Sequence, residues 1–337
     1  MKLGIIGLPD AGKTTLFEAL TGQQTEMGNK LESRQGVIRV PDHRIDRLSQ
    51  MYQPKKTTYA QVEYFLPGFN PSKKDTKDYS PWTLIRDCDA LILVIRNFKG
   101  YGDENPNPKS DFLTIDSELM LSDQITIEKR IERMEADKKR GRKIDTEEMS
   151  ALTNCLRMLE NEIPIRRDQS LADTPQLRGF ALMSAKPMLI LFNNSDDDDH
   201  MPDDTVFEAE KKMIIKARLE QDISRMSADD AKEFLSEFNL TATATDRVIK
   251  QSYDLLGLIS FFTVGEDEVR AWTIKKTTEA LDAAGVIHSD IKKGFIRAEV
   301  LFYDDLMDAG THAEARKRGT VRLEGKTYLV QDGDIIN

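Results

Sequence analysis

Apolar and polar positions divide the chain into three regimes. In the first, short apolar runs alternate with polar, helix-like stretches. Leu3–Ile6 predicts a strand, Leu16–Leu20 the opening of a helix, and Gln35–Val40 a second strand. Arg44–Met51 predicts a helix, and Ala60–Leu66 a strand with Val62, Tyr64 and Leu66 on one side. Trp82–Asp87 reads as helical. Ala90–Ile95 and Lys186–Phe192 are continuous apolar runs, the pattern of strands covered on both faces. Thr21–Ser33 and Pro67–Ser80 carry turn signals and read as loops.

The second regime interrupts the first. Ile115, Leu119, Leu121, Ile125, Ile127, Ile131 and Met134 recur at helical spacing among charged residues. Lys138–Lys143 forms a basic turn, and Met149, Leu152, Leu156 and Leu159 make a second stripe that ends before Pro164. The pattern predicts an antiparallel helical hairpin over 116–179, inserted into an α/β domain spanning 1–115 and 180–257. Ser227–Phe238 and Asp246–Leu256 read as its last helices. The third regime, 258–337, is a small α+β module. Phe261–Thr263, Val269–Ile274 and Phe295–Leu301 predict strands, Arg322–Val330 a hairpin, and Asp332–Asp334 a turn.

A length of 337 residues suits two or three domains. The net charge of -10 argues against binding nucleic acid through overall charge, though a local basic patch is compatible with it. Cys88 and Cys155 are far apart and have no metal-ligand spacing, which points to a reducing compartment. The chain enters a strand at once, leaving no room for a signal peptide, and its apolar runs are too short to cross a membrane. A cytoplasmic protein without membrane attachment or DNA sequence specificity is expected.

The chemistry is concentrated between the first strand and the first helix. Gly7-Leu-Pro-Asp-Ala-Gly-Lys-Thr14 matches G-x-x-x-x-G-K-[ST] at every fixed position, in the strand–loop–helix setting a phosphate-binding loop requires. The backbone over Pro9, Asp10, Ala11, Gly12, Lys13, Thr14 and Thr15 would cradle a polyphosphate at a helix N-terminus, its non-proline N–H groups donating. Lys13 would reach the β- and γ-phosphates, and the Thr14 hydroxyl would hold Mg²⁺. Asn193-Asn-Ser-Asp196 follows a buried strand and matches N-x-x-D, the outline of the GTPase base-reading motif N-K-x-D. Asn193 would serve the purine edge and Asp196 would accept from guanine, while Asn194 stands where the GTPase Lys belongs. The acidic run Asp196–Asp199 reads as a solvated loop rather than a metal site.

These motifs resemble the YchF (Obg-like ATPase) branch of the translation-factor P-loop NTPases, and the resemblance covers nearly the whole chain. Gly7–Thr14 is similar to that family's G-L-P-N-V-G-K-S, and Gly36-Val-Ile-Arg-Val-Pro-Asp42 to its G-V-V-P-V-P-D. The helical hairpin sits where the family carries a coiled-coil insertion. Phe262-Thr263, Glu268–Thr273, Ala284–His288, Gly294–Glu299, Arg322–Lys326 and Asp332–Asp334 resemble its ubiquitin-like TGS domain. The resemblance implies a P-loop G-domain, ATP or GTP with Mg²⁺, and a ribosome or rRNA partner. The family prefers ATP and carries N-x-x-E; Asp196 departs toward the GTPase form without restoring the Lys, so either purine fits.

The departures concern hydrolysis. Aligned on Gly68, the family's D-x-x-G becomes Phe65-Leu-Pro-Gly68, with Phe65 in place of the Asp that reaches Mg²⁺ through water. Lys30 falls where the first switch supplies a Thr, and Thr25 is out of register. Phe69 follows Gly68, and substitution of the lost carboxylate by Asp75 or Asp78 is the less favoured alternative. Ile215-Lys-Ala-Arg218 replaces the late S-A-K motif, for which Ser184-Ala-Lys186 is a decoy placed before the base-reading strand. The expectation is a nucleotide-binding protein with hydrolysis weak or lost. The alternative is a non-catalytic RNA- or ribosome-binding protein with a relic P-loop. Elsewhere, His288 and Trp272 read as structural, and Lys292-Lys293 with Arg316-Lys-Arg318 as a candidate RNA-facing patch diluted by nearby acids.

Overall fold

The computed structural model describes residues 1–24, 32–68, 81–100, 104–237 and 242–337. In chain order its elements begin with β1 (Lys2–Ile6), α1 (Lys13–Thr21), β2 (Arg34–Arg39), α2 (His43–Tyr52), β3 (Lys56–Thr58) and β4 (Gln61–Leu66). Next come β5 (Ala90–Asn97), α3 (Pro108–Lys139), α4 (Thr146–Glu160), α5 (Gln169–Ala172), β6 (Met188–Asn194), β7 (Lys211–Ile215), α6 (Ala217–Ser224), α7 (Ala228–Glu237) and α8 (Ala244–Leu255). The chain closes with β8 (Leu258–Thr263), β9 (Glu268–Lys275), α9 (Ala280–Ile287), α10 (Ser289–Gly294), β10 (Ala298–Phe302), α11 (Tyr303–Ala309), α12 (His312–Arg318), β11 (Arg322–Glu324) and β12 (Asp334–Ile336). These elements form two compact units, Met1–Gly36 with Glu63–Thr245, and Val37–Val62 with Asp246–Asn337.

The first unit is built on a sheet of order β2-β4-β1-β5-β6-β7. The β4/β1, β1/β5, β5/β6 and β6/β7 pairs are all parallel. The chain leaves β1 toward one side and returns at β5 on the other, so β1 marks the topological switch point where α/β sheets place their ligands. On one face, Leu91, Leu93 and Ile95 pack with Phe112, Ile115, Leu119 and Phe207. α3 therefore starts on the sheet and only then runs on into the hairpin. There Met120, Ile127 and Met134 meet Ala151, Leu152, Cys155 and Leu159 in a separate apolar core. Arg130 grips Glu148 across the pair at 2.6 and 2.9 Å.

Two members of the predicted stripe are in neither core: Leu121 is 57% exposed and Ile125 43% exposed. A helix that serves the sheet first and α4 afterwards buries two stripes in succession, and these residues lie outside both.

The second unit carries a sheet of order β11-β10-β12-β8-β9-β3. Its core holds Phe261, Ile274, Ala283, Val300, Val330 and Ile336. The predicted Arg322–Val330 hairpin does not form. β11 pairs antiparallel with β10, while Leu329 bridges to Glu279 and Val330 N–H donates to Thr278. The segment Val37–Val62 belongs to this unit rather than clustering with the rest of the nucleotide half. β3 adds in parallel to β9, and Arg44 bonds Asp332 at 2.8 Å while lying over the Phe262 ring. His288 accepts from the Asp290 N–H at 3.2 Å and caps α10. Trp272 is half-buried, stacked on Phe261 and bonded to Thr263. Among the described residues, no helix is long and apolar enough to cross a membrane.

Candidate functional site

Between β1 and α1 the backbone takes a path that side chains oppose. Gly7 has φ 152°, Asp10 59° and Gly12 95°. A Cβ on Gly7 would lie 2.4 Å from the Val94 carbonyl oxygen, and one on Gly12 2.2 Å from Asn193 Nδ2. Both glycines of the motif are therefore required by conformation and by close approach. α1 has no side-chain cap at Gly12 and no acidic residue in its first turn. Its leading N–H groups and the positive end of its dipole are thus open to an anion.

Pro9 and Asp10 are exposed, Ala11 is buried, and Gly12, Lys13, Thr14 and Thr15 are half-buried. The Lys13 ammonium folds back to donate to the Leu8 carbonyl at 2.6 Å. Burial lowers its pKa to about 8, against the opposing pull of Asp10. A phosphate entering the loop would replace one carbonyl oxygen by charged oxygens, which bind an ammonium more strongly. The underside of α1 is fixed by Leu16, Phe17 and Leu20, all buried. Its buried Glu18 accepts from Gln221 on α6 and faces Arg34 at 3.8 Å and Arg225 at 3.6 Å.

The base-reading candidates separate in space. Asn193 is buried at the end of β6. Its Nδ2 donates to the Ala11 carbonyl at 3.0 Å, and its Oδ1 accepts from the Ala217 N–H at 3.0 Å. Its carboxamide thus ties the phosphate loop to the start of α6, where the sequence places a purine-edge contact. Asn194, in the place of the GTPase Lys, is turned inward and bonded to Asn97, Asp198 and His200. Asp196 is exposed on the turn beyond. Lys216 pairs with Asp199 at 2.8 Å. The Ala217 bond places Ile215–Arg218 beside the loop network. Ser184 and Lys186 are spent elsewhere: the Ser184 N–H donates to buried Asp123 at 2.7 Å, and Lys186 donates to the Arg86 and Cys88 carbonyls.

At the end of β4 the chemistry is apolar. Phe65 is 6% exposed, packed with Ile6, Ile85, Leu91 and Leu93. Its ring lies 4.2 Å from the ammonium of Lys2, which opens β1 at the end away from the phosphate loop. The last strand residue is Leu66, sent by the pleat to the opposite face. Neither offers an oxygen. Gly68 N–H donates to Ser33 Oγ at 3.0 Å. Thr25, Lys30, Phe69, Asp75 and Asp78 lie outside the described residues. Among the described residues, no group of three His, Cys, Asp or Glu could hold a metal.

Sequence reasoning did not single out Asn97 or the Ala217 N–H. Asn97 carries a readable signal, since it ends a buried strand at the C-terminal edge of the sheet just as Asn194 does. The Ala217 N–H carries none, because any non-proline residue supplies one.

Known proteins resemble the chain along its length. A family model described as "YchF-GTPase_C: Protein of unknown function (DUF933)" matches residues 258–337. The "Ribosome-binding ATPase YchF" of Bacillus subtilis (strain 168) is 36% identical over 359 residues, covering 99% of this chain and 97% of that protein. Its namesake from Escherichia coli O157:H7 is 34% identical over 355 residues, covering 100% and 98%. The solved structure of the Schizosaccharomyces pombe YchF GTPase superposes with a TM-score of 0.83 at 28% identity, covering 100% of this chain and 97% of that one. With the P-loop, the inserted helical hairpin and the C-terminal α+β unit all matched from end to end, this chain belongs to the YchF family.

Proposed function

We propose that the protein binds a purine nucleotide, ATP or GTP, and acts at the ribosome, with hydrolysis weak or lost. The observation that carries the reading is the uncapped N-terminus of α1 behind the left-handed Gly7, Asp10 and Gly12. This is a preformed anion cradle with Lys13 beside it. In this reading, the backbone over Pro9–Thr15 holds the phosphates, with N–H donors from Asp10 onward, and Lys13 takes the β- and γ-oxygens. Asp196 contacts the base, and Asn193 holds the loop in shape beneath the nucleotide. Mg²⁺ would arrive with the nucleotide, held by phosphate oxygens and the Thr14 hydroxyl. The described residues fit that limited share, since magnesium sites often take most ligands from phosphates and water. The metal would neutralise charge that develops in phosphoryl transfer.

Weak hydrolysis follows from β4. A carboxylate that orients metal-bound water is absent from Phe65 and Leu66 alike. That same absence favours the second reading, a ribosome- or RNA-binding protein whose P-loop is a relic. The ribosomal partner is supported by the two relatives named as ribosome-binding ATPases. The C-terminal unit is proposed as the TGS domain. Its candidate basic patch is partly neutralised: Lys292 pairs with Asp282, Lys293 with Asp290, and Arg316 with Glu299. The hairpin tip is more open. Arg142 pairs with Asp137, but Lys138, Lys139, Arg140 and Lys143 are exposed and have no acidic partner among the described residues. The tip is therefore the better polyanion contact.

Titration with fluorescent ATP and GTP, with and without Mg²⁺, tests the reading. Saturable binding of at least one nucleotide is expected, with slow turnover. Absence of binding at millimolar nucleotide would leave the relic reading standing.

A further inference from the structure

Consecutive asparagines end β6, and the strand's pleat sends their side chains to opposite faces. Asn193 secures the phosphate loop, as described. Asn194 serves the segment that follows, Ser195–His200. Its Oδ1 accepts from Asn97 Nδ2 at 2.9 Å. Its Nδ2 donates to the carbonyls of Asp198 and His200, both at 3.0 Å. Asn97 Nδ2 also reaches the His200 carbonyl at 3.4 Å. Within the turn, His200 N–H donates to Asp198 Oδ1 at 2.8 Å.

Asn194 is 4% exposed, so its own three bonds are largely screened from water, while those of Asn97 and Asp198 to His200 lie nearer the surface. One carbonyl oxygen and two N–H donors are all employed, a set that an amide side chain alone provides in this geometry. A Lys at this position has no acceptor for Asn97, and an apolar residue has neither donor nor acceptor. Either change would leave buried polar groups without partners, at a cost of about 1–3 kcal/mol each. The register of the sheet completes the device. Asn97 sits opposite Asn194 in the parallel β5/β6 ladder, so both side chains leave the same edge on the same face.

We propose that Asn194 and Asn97 form a latch that fixes the Ser195–His200 turn, and with it the purine-reading group Asp196, independently of the phosphate loop. They are positioning residues for base discrimination. The inference rests on the nucleotide-binding reading above. Its consequence is a division of labour within two neighbouring residues: Asn193 for the phosphates, Asn194 for the base. The Lys of GTPases lines the base directly, whereas here the residue in its place acts from beneath the turn.

The test compares three probes, ATP, GTP and inorganic tripolyphosphate, by calorimetric titration of the full chain. Asn194→Leu is expected to weaken the better-bound purine nucleotide by about tenfold, the equivalent of one buried hydrogen bond. The ratio between ATP and GTP should move toward one, while tripolyphosphate changes by less than about twofold. Asn97→Ala, which removes a half-buried side chain, should shift the ratio in the same direction by less. Melting curves of both variants identify any that do not fold, and Asn97→Ala keeps the question open to an answer if Asn194→Leu does not. Parallel loss of all three probes would overturn the inference, since the asparagine would then be supporting the whole site. Unchanged affinities in both variants would overturn it too. Failure of the wild-type chain to bind any probe would remove the nucleotide reading, and the latch's purine role with it.

Discussion

Two strands end at the same edge of the first sheet and meet it with opposite chemistry. β6 ends in two asparagines whose amides hold the phosphate loop and the turn beyond. β4 ends in Phe65 and Leu66, and the phenyl ring is withdrawn into the core. In a P-loop protein, one end retains the nucleotide and the other reports the state of its γ-phosphate. The contrast teaches that holding and reading are physically separable. The first requires backbone curvature, a free helix terminus and a few polar ties. The second requires a carboxylate at a defined place. This chain has the first set, and at the described end of β4 the second is missing.

The sharpest way to test that contrast is to put the carboxylate back. Phe65→Asp removes a buried ring and leaves a charge among Ile6, Leu91 and Leu93. We expect a loss of stability of about 3–5 kcal/mol, measurable by denaturant titration, and no gain in turnover. A stable Phe65→Asp variant that hydrolysed nucleotide faster than the parent would show that the lost carboxylate limits turnover, whereas a parent that already hydrolysed well, with no gain in Phe65→Asp, would break the comparison.

Gly12→Ala attacks the other side. The added methyl would face Asn193 at 2.2 Å from a backbone with φ 95°. Strain of this kind costs about 1–3 kcal/mol, so affinity for ATP or GTP should fall between about tenfold and hundredfold in direct titration. Unchanged affinity would mean that the cradle does not bind the phosphates in this shape.

The smallest effect is on pH. Lys13 has a folded-state pKa of about 8, below the usual lysine value of 10.5. Between those values the unfolded chain carries more protons, so this group's contribution to stability rises with pH. Nucleotide affinity has the opposite sign. It needs the ammonium, and should fall by about an order of magnitude as pH rises from about 7.5 to 9.5, with proton uptake on binding. Titrations in buffers of different ionisation enthalpy measure that uptake. Affinity that is flat across this range would exclude Lys13 from the phosphate contact.

Much of this was written locally. The strand–glycine loop–helix sequence is contiguous, so its residues dictate its conformation: Gly7 and Gly12 permit the required φ, and Leu16, Phe17 and Leu20 seat the helix. The buried strands at Ala90–Ile95 and Met188–Phe192 declare themselves by continuous apolar character. The helical hairpin is legible from its stripes, except that Leu121 and Ile125 read as core and are exposed. Short-range periodicity reports that a face is apolar, and it does not report where along a long helix the partner changes.

The sequence by itself determined that a glycine loop of the phosphate-binding pattern follows β1 and that Phe65 and Leu66 carry no side-chain oxygen, because both depend on residue types at fixed local spacing. The tertiary structure alone decided what the side chains at the sheet's edge do. It tied Asn193 to the loop and to the start of α6, turned Asn194 onto Asn97, and gave Val37–Val62 to the second unit through β3 and Arg44. Each of these contacts joins residues tens to hundreds of positions apart. Their energies come from burying polar groups that must then find partners, and which partners are within reach is set by the packed fold, not by spacing along the chain.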